Sequence, residues 1–344
     1  INPSDANLPF IVKDSLEFMN GNITQEVKLV AWGQDAHFFN DSILSCNTLW
    51  EAGRPYVIYN SILVDSLCSL TIGPGVQVFS HPGSYIFVKG SLQVNGTPDQ
   101  RVLFTNDRRD EFYKDAPGQW EGIYFLEGSI SNHLSFTDIR NGVLGIRLGA
   151  PDNDTIPEVV LSETRIENMS EYGILTFTSD LTATNTLVNS CRLGCVGNFA
   201  GGNYRYTHCT FSNFPVNFSA EGPAVVFSDN LLLSDNSVLE KDISVSLINS
   251  IIWGMNKDEI TLSTTGYKVF TLLMNNNLLK TTDTSLGLGN NILNKDPLFI
   301  NTALYNYHTD TNSPARDAGL NQGILIDLEG NTRDATPDIG AYEK

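Results

Sequence analysis

The densest run of chemistry-bearing residues is TNDRRDEFYKDAPGQWEG at 105–122. Asp107, Arg108, Arg109, Asp110, Glu111, Lys114 and Asp115 alternate there with Phe112, Tyr113 and Trp120. Aromatic faces stack on pyranose rings, while guanidinium and carboxylate groups bond sugar hydroxyls. The mixture therefore suits a carbohydrate platform, with Arg108, Arg109, Asp110, Tyr113 and Trp120 as the expected ligand-binding residues. A catalytic site, if the chain has one, is centred on Arg108, Asp110 and Asp115. A lyase needs a strong base such as Arg or Lys beside a calcium, and a hydrolase needs two facing carboxylates. The competing reading is a long loop closed by its own ion pairs.

A second cluster comprises Asp317, Asp327, Glu329, Arg333, Asp334 and Asp338. Asp327, Glu329 and Asp338 are candidate calcium ligands by their oxygen chemistry. Their spacing matches neither an EF-hand loop nor a Gly-rich nonapeptide, and Arg333 more simply pairs with its acidic neighbours. No cofactor is expected, calcium being the one alternative. The five histidines, His37, His81, His133, His208 and His308, lie outside any Gly-flanked motif. The Asn-Thr-Asp, Asp-Asp, Gly-His-Gly and Arg-Ile-Lys set of a polygalacturonase is absent.

Among the five cysteines, Cys191, Cys195 and Cys209 read as small buried residues and not as a zinc site with His208. Cys46 and Cys68 are 22 residues apart. They are expected to stay reduced, because neighbouring parallel strands present side chains too parallel to bridge well.

Such residues need a frame. The chain has 344 residues, 41% hydrophobic and 17% charged, with 21 Lys+Arg against 39 Asp+Glu and a net charge of -18. That balance argues against a general nucleic-acid binder. It also favours a neutral or calcium-bridged glycan over a polyanionic one. No apolar run reaches the length of a membrane span.

A degenerate phrase repeats through the middle: TDIRNGVLGI, TRIENMSEYGI, NTLVNSCRLGC, CTFSNFPVNF, DNLLLSDN, NSIIWGMNKDEI and NNLLKTTD. Its apolar anchors are Ile139, Ile166, Leu187, Phe211, Leu231, Ile251 and Leu278. Two places later stand Asn141, Asn168, Asn189 and Asn213, whose amides are expected to stack as a ladder. Two places earlier stand Thr137, Thr164, Asn185, Cys209, Asp229, Asn249 and Asn276. That column either bends the chain at a corner or stacks inward. Repeats of this length without helical periodicity exclude helical solenoids, and propeller blades are longer. The remaining architecture is all-β: a right-handed single-stranded parallel β-helix of about ten coils. The expected organisation is a tether over 1–9, an N-terminal β cap over 10–55, coils over 56–300, and a segment over 301–344 capping the far end.

The phrases LTIGPGVQV, VKGSLQVNGT and GQWEGIYF resemble the opening coils of right-handed parallel β-helix proteins from Bacteroidetes-type bacteria. NKDPLFIN, SPARDAG and DLEGNTRDATPDIGAYE resemble the closing segment of secreted or surface proteins with a choice-of-anchor Q-like C-terminus. The sequences at Asp14-Ser15-Leu16, Asp41-Ser42-Ile43, Asp65-Ser66-Leu67 and Asp154-Thr155-Ile156 resemble the Asp-Ser/Thr-aliphatic O-glycosylation pattern of exported Bacteroidetes proteins. The resemblance implies an extracytoplasmic protein, secreted or held at the surface as an outer-membrane lipoprotein by a tether outside the given chain. The function expected is non-enzymatic binding of a glycan or another cell-surface component by a monomer. The alternatives are a pectin-lyase-like polysaccharide lyase or glycoside hydrolase, and a purely structural or adhesive rod.

Overall fold

The computed structural model describes residues 10–21, 23–33, 35–110, 112–149, 155–216 and 218–344. The 1–9 tether, Glu111 and Asp154 lie outside the described residues. The chain is a parallel β-helix. In its middle each coil makes three short strands. Asn132–Ser135, Thr137–Arg140 and Ile146–Leu148 form one coil, and Val159–Ser162, Arg165–Met169 and Tyr172–Phe177 form the next. Equivalent strands pair in parallel, so like residues stack in register. One inward column runs Leu134, Leu161, Ala183, Tyr206 and Leu247. A second runs Ile139, Ile166, Val188, Phe211, Ile252 and Leu279. A third runs Ile123, Ile146, Ile174, Val196, Val225 and Ile260. All three meet in one buried core. Each such aliphatic side chain contributes about 1.5–3 kcal/mol by leaving water.

Three expectations about the repeat need correction. The stacked partners of Ile166 and Phe211 are Val188 and Ile252, with Leu279 following, not Leu187, Ile251 and Leu278. Leu231 belongs to no coil ladder; it lies in an antiparallel hairpin of Asn230–Leu232 with Val238–Glu240, inserted within one coil. The polar column before the anchors is really two adjacent columns. Phe136, Glu163, Asn185, His208, Asn249 and Asn276 hold left-handed φ angles of 44 to 54° and turn the corner. Thr137, Thr164, Thr186, Cys209, Ser250 and Asn277 follow them and are buried. Asparagine tolerates that backbone region better than most residues, which accounts for its frequency at the corner.

The coils also begin earlier than expected. His37–Ile43 pairs in parallel with Tyr56–Val64, inside the stretch assigned to a cap. Upstream, Phe10–Asn20 and Ile23–Gly33 pair with each other as an antiparallel hairpin. Its Leu16, Phe18, Met19, Ile23, Val27 and Leu29 are exposed. This two-stranded ribbon and the first parallel strand, His37–Ile43, share the stretch expected to form the N-terminal β cap over 10–55.

Cys46 and Cys68 are bonded, with Cα atoms 4.5 Å apart, which corrects the expectation of free thiols. The pair sits at a turn, just before the ladder pairing of Thr48 with Leu70, and not within a strand. Turn residues are free of the strand's fixed side-chain direction, so the two sulfurs can meet. Closing a 22-residue loop stabilises by about 3 kcal/mol in the chain-entropy account. A Cys46→Ser/Cys68→Ser variant is expected to lose that stability in the first coils. Hydrogen exchange reads the loss directly: unchanged protection of residues 56–80 would contradict it.

The largest departure concerns the C-terminus. Residues 301–344 do not cap the far end; they run along the flank of the rod as a clasp. Arg101 Nη1 donates to Leu328 O (3.2 Å), and Arg165 Nη2 to Glu329 (2.7 Å). Asn185 Nδ2 donates to Ile326 O (2.8 Å), and Thr210 Oγ1 accepts from Ala341 N (3.0 Å). Asn249 donates to Leu320 O (2.7 Å) and accepts from Leu320 N (2.8 Å), and Asn276 donates to Ala318 O (3.0 Å). With the coil of Asp138, which binds Arg101 and Arg165, these contacts span seven successive coils. The clasp explains the misread anchors. Leu187 packs outward on Tyr307, Leu328 and Tyr342, while Ile251 and Leu278 pack on Ala315 and Ile339. These coils are apolar on both faces because both faces are covered.

The clasp holds a buried histidine. The corner residue His208 is 1% exposed; its Nδ1 lies 3.1 Å from Asp338 O, and Asn249 Nδ2 lies 2.9 Å from its Nε2. Nδ1 therefore carries the proton and donates, while Nε2 accepts. Burial, with the nearby Arg333 charge, lowers its pKa to about 3 from the ordinary 6.5. A folded-state pKa below the unfolded one means that the unfolded chain takes up the proton first. His208's contribution is thus fully present above pH 6.5 and is lost as pH falls towards 3, at about 1.4 kcal/mol per pH unit. Burial raises the pKa of Asp338, Glu163 and Glu259, which work in the opposite sense at lower pH. A His208→Gln variant is expected to lose less stability than the parent between pH 7 and 5. Parallel urea midpoints for both proteins across that interval would refute the assignment.

Candidate functional site

The insertion at 107–115 leaves the rod after the strand Val102–Asn106, which stacks on Thr137–Arg140. An asparagine ladder fixes its base. Asn141 Nδ2 donates to Asn106 Oδ1 and Asn168 Nδ2 to Asn141 Oδ1, each at 2.8 Å. The same amides capture the loop's carbonyls. Asn106 donates to Arg108 O (2.7 Å) and Tyr113 O (3.1 Å), Asn141 to Lys114 O (2.7 Å), and Asn168 to Asp115 O (2.8 Å). The expected ladder is therefore real for Asn141 and Asn168 but ends differently. The next position is Ser190, while Asn189 sits one place off and donates to Glu167 Oε1 (3.0 Å). Asn213 accepts from Cys191 N (2.9 Å).

Between loop and rod lies a cleft of about 230 Å³ lined by Phe79, Asn106, Arg108, Arg109, Lys114, Arg140 and Asn141, among others. Four of these residues are cationic, and no carboxylate lines the cleft among the described residues. The Arg108 guanidinium lies 3.3 Å from the Tyr113 ring centroid and 3.4 Å from Asp110. Arg109 stands 5.1 Å from the Phe79 centroid. Arg140 Nη2 pairs with the buried Glu167 at 2.6 Å, and that carboxylate raises the guanidinium's pKa. Arg140 Nε is buried without a hydrogen-bond partner among the described residues. Tyr305, from the clasp segment, lies near Glu167, Asp115 and Arg140, and burial pushes its pKa up to about 12.

The structure divides the expected ligand set. Arg108 and Arg109 line the cleft, Asp110 pairs at its exposed side, and Tyr113 is covered by Arg108. Trp120 is no sugar platform: it is fully buried, and its indole N–H donates to Arg140 O at 2.8 Å. Asp110 and Asp115 do not face each other across the cleft as an acid–base pair, since neither lines it among the described residues. Phe79, Asn106 and Arg140 were missed. Asn106 was findable, because it stands two places after Phe104, the ladder partner of Ile139. Arg140 directly follows that anchor.

The candidate calcium ligands do not converge. Asp327 accepts from Glu329 N (2.9 Å), Asn331 N (2.8 Å) and Glu343 N (2.9 Å). Glu329 pairs with Arg165 (2.7 Å) and His308 (3.2 Å), and Asp338 accepts from Asp317 N (2.8 Å). Among the described residues no three His, Cys, Asp or Glu side chains are grouped to hold a metal ion. His81 pairs with Asp107 at 2.7 Å, beside the insertion. No helix among the described residues is long and apolar enough to cross a membrane. No family model matches the chain, and no curated protein matches it either.

Proposed function

We propose that this chain is a secreted or surface-tethered, non-enzymatic β-helix that binds a glycan or another surface component at the cleft beside residues 107–115. The observation carrying the reading is a preformed cleft whose wall is fixed by the asparagine ladder. Binding sites gain from rigid walls, because less conformational freedom is lost on association. A cleft lined by donors, with no carboxylate in its lining among the described residues, suits recognition better than glycosidic cleavage, which uses paired carboxyl groups. The Cys46–Cys68 bond supports an oxidising compartment. The resemblance to choice-of-anchor Q-like surface proteins adds attachment through a tether beyond the described residues.

The test is binding of the full chain to a panel of neutral and acidic polysaccharides, with product analysis of each mixture. Retention on at least one glycan, with no new reducing ends or unsaturated products, is the expected result. Cleavage of any member would replace the binding reading with an enzymatic one. Failure to bind any member would leave the structural rod as the better account.

A further inference from the structure

The overall charge of -18 contrasts with the cationic lining of one cleft among the described residues. Arg108, Arg109 and Lys114 come from the insertion, and Arg140 comes from the coil beneath it. All four line one cleft of about 230 Å³. Two of the four already hold a carboxylate that lies outside the lining: Asp110 pairs with Arg108 and Glu167 with Arg140, while Asp107 binds His81. Arg109 has the Phe79 ring as its neighbour and no carboxylate within ion-pair distance among the described residues. The loop's carbonyl oxygens, which would have offset the positive charge, are taken up by Asn106, Asn141 and Asn168. Arg108 and Arg140 keep N–H donors beyond those their carboxylates use, and Arg140 Nε has no hydrogen-bond partner among the described residues. Guanidinium groups also match the planar, bidentate geometry of carboxylate, sulfate and phosphate oxygens.

We infer that this cleft is an oxyanion site, which takes a carboxylate, sulfate or phosphate group carried by the ligand. The inference rests on the binding reading above and narrows it to acidic ligands. It reverses the expectation of a neutral glycan, which came from net charge alone. Field at a cleft is set by the groups lining it and falls off within about 8–10 Å in physiological salt. The cleft is smaller than the drug-sized range of about 300–1,000 Å³. It therefore suits one charged substituent or one sugar unit of a longer chain.

Isothermal calorimetry on the full chain tests this with four probes: polygalacturonate, dextran sulfate, uncharged dextran, and inorganic sulfate or phosphate. The variants are Arg109→Gln and Arg108→Gln, whose side chains leave no buried carboxylate unpaired. Thermal melts establish that each remains folded. Binding of at least one acidic polysaccharide is expected, with uncharged dextran at least about tenfold weaker. Affinity should fall about tenfold in Arg109→Gln, and further as salt rises from about 50 to 200 mM. Equal binding of charged and uncharged chains, unaffected by either variant, would overturn the oxyanion site while leaving the glycan reading intact. Binding of the inorganic anions alone, weakened in Arg109→Gln, would keep the oxyanion site and reject the glycan. No heat with any probe would reject both.

Discussion

An Arg333→Ala variant is expected to unfold with about 3–5 kcal/mol less stability than the parent, the usual cost of stranding one member of a buried ion pair. Arg333 Nη1 meets Glu343 Oε2 at 2.9 Å, with side chains 1% and 6% exposed. Its Nη2 donates to Asn185 Oδ1 and to Gly340 O, both at 2.9 Å. Burial lowers the guanidinium's pKa, and the charges of Glu343 and Asp327 oppose that shift. Removing the guanidinium leaves Glu343 desolvated and strands two acceptors, Asn185 Oδ1 on the rod and Gly340 O within the clasp. Replacing the pair together, Arg333→Met with Glu343→Leu, is expected to recover only part of the loss: it removes the stranded charge but leaves Asp334 N, Asp338 N, Asn185 Oδ1 and Gly340 O without these partners. Guanidinium denaturation of the three proteins decides the matter. A single variant within about 1 kcal/mol of the parent would show that the pair does not hold the clasp.

An Ile166→Asp variant is expected to yield little folded protein. Ile166 is fully buried between Ile139 and Val188 in an inward column. The change removes a large apolar contribution and places a carboxylate where no water reaches. The combined cost is above about 5 kcal/mol, comparable to the whole stability of many domains. Ile251→Asp, by contrast, introduces its charge between rod and clasp, against Ala315 and Ile339. It should detach the clasp and leave the inward columns stacked. Circular dichroism and limited proteolysis distinguish the two: cleavage confined to 301–344 is expected for Ile251→Asp, and general digestion for Ile166→Asp. A soluble Ile166→Asp protein melting near the parent would contradict its place in the core.

The contrast between these two isoleucines shows what the sequence could disclose. The β-helix was legible because stacked coils must repeat an inward apolar residue, and Ile139, Ile166 and Phe211 mark it clearly. Register failed at Leu187, Ile251 and Leu278, where the neighbouring residue is apolar as well. A one-residue choice between adjacent apolar positions is invisible without the partner that covers the outer one, and that partner lies far along the chain in the C-terminal segment. The hairpin at 230–240 was misread for a related reason: its Leu231 imitates an anchor but pairs antiparallel. For the candidate site, charge pointed to the loop beside the cleft, while the placement of each side chain depended on direction. Trp120 looked like a platform because its neighbours are polar; in three dimensions its ring turns into the core. Arg140 was passed over because it lies 26 residues beyond Lys114 in the chain but only one coil away in space.

Each strand of a solenoid touches only its neighbours, so a coil that slips by one residue need disturb little beyond the adjoining two. Such a slip turns corner residues onto the wrong face. Asn185, Asn249 and Asn276 would then miss Ile326, Leu320 and Ala318, leaving main-chain carbonyls of the clasp without partners. The clasp, which follows these coils in the chain, thereby reads the alignment of the stack beneath it, and its contacts are complete only where the coils they reach are in step.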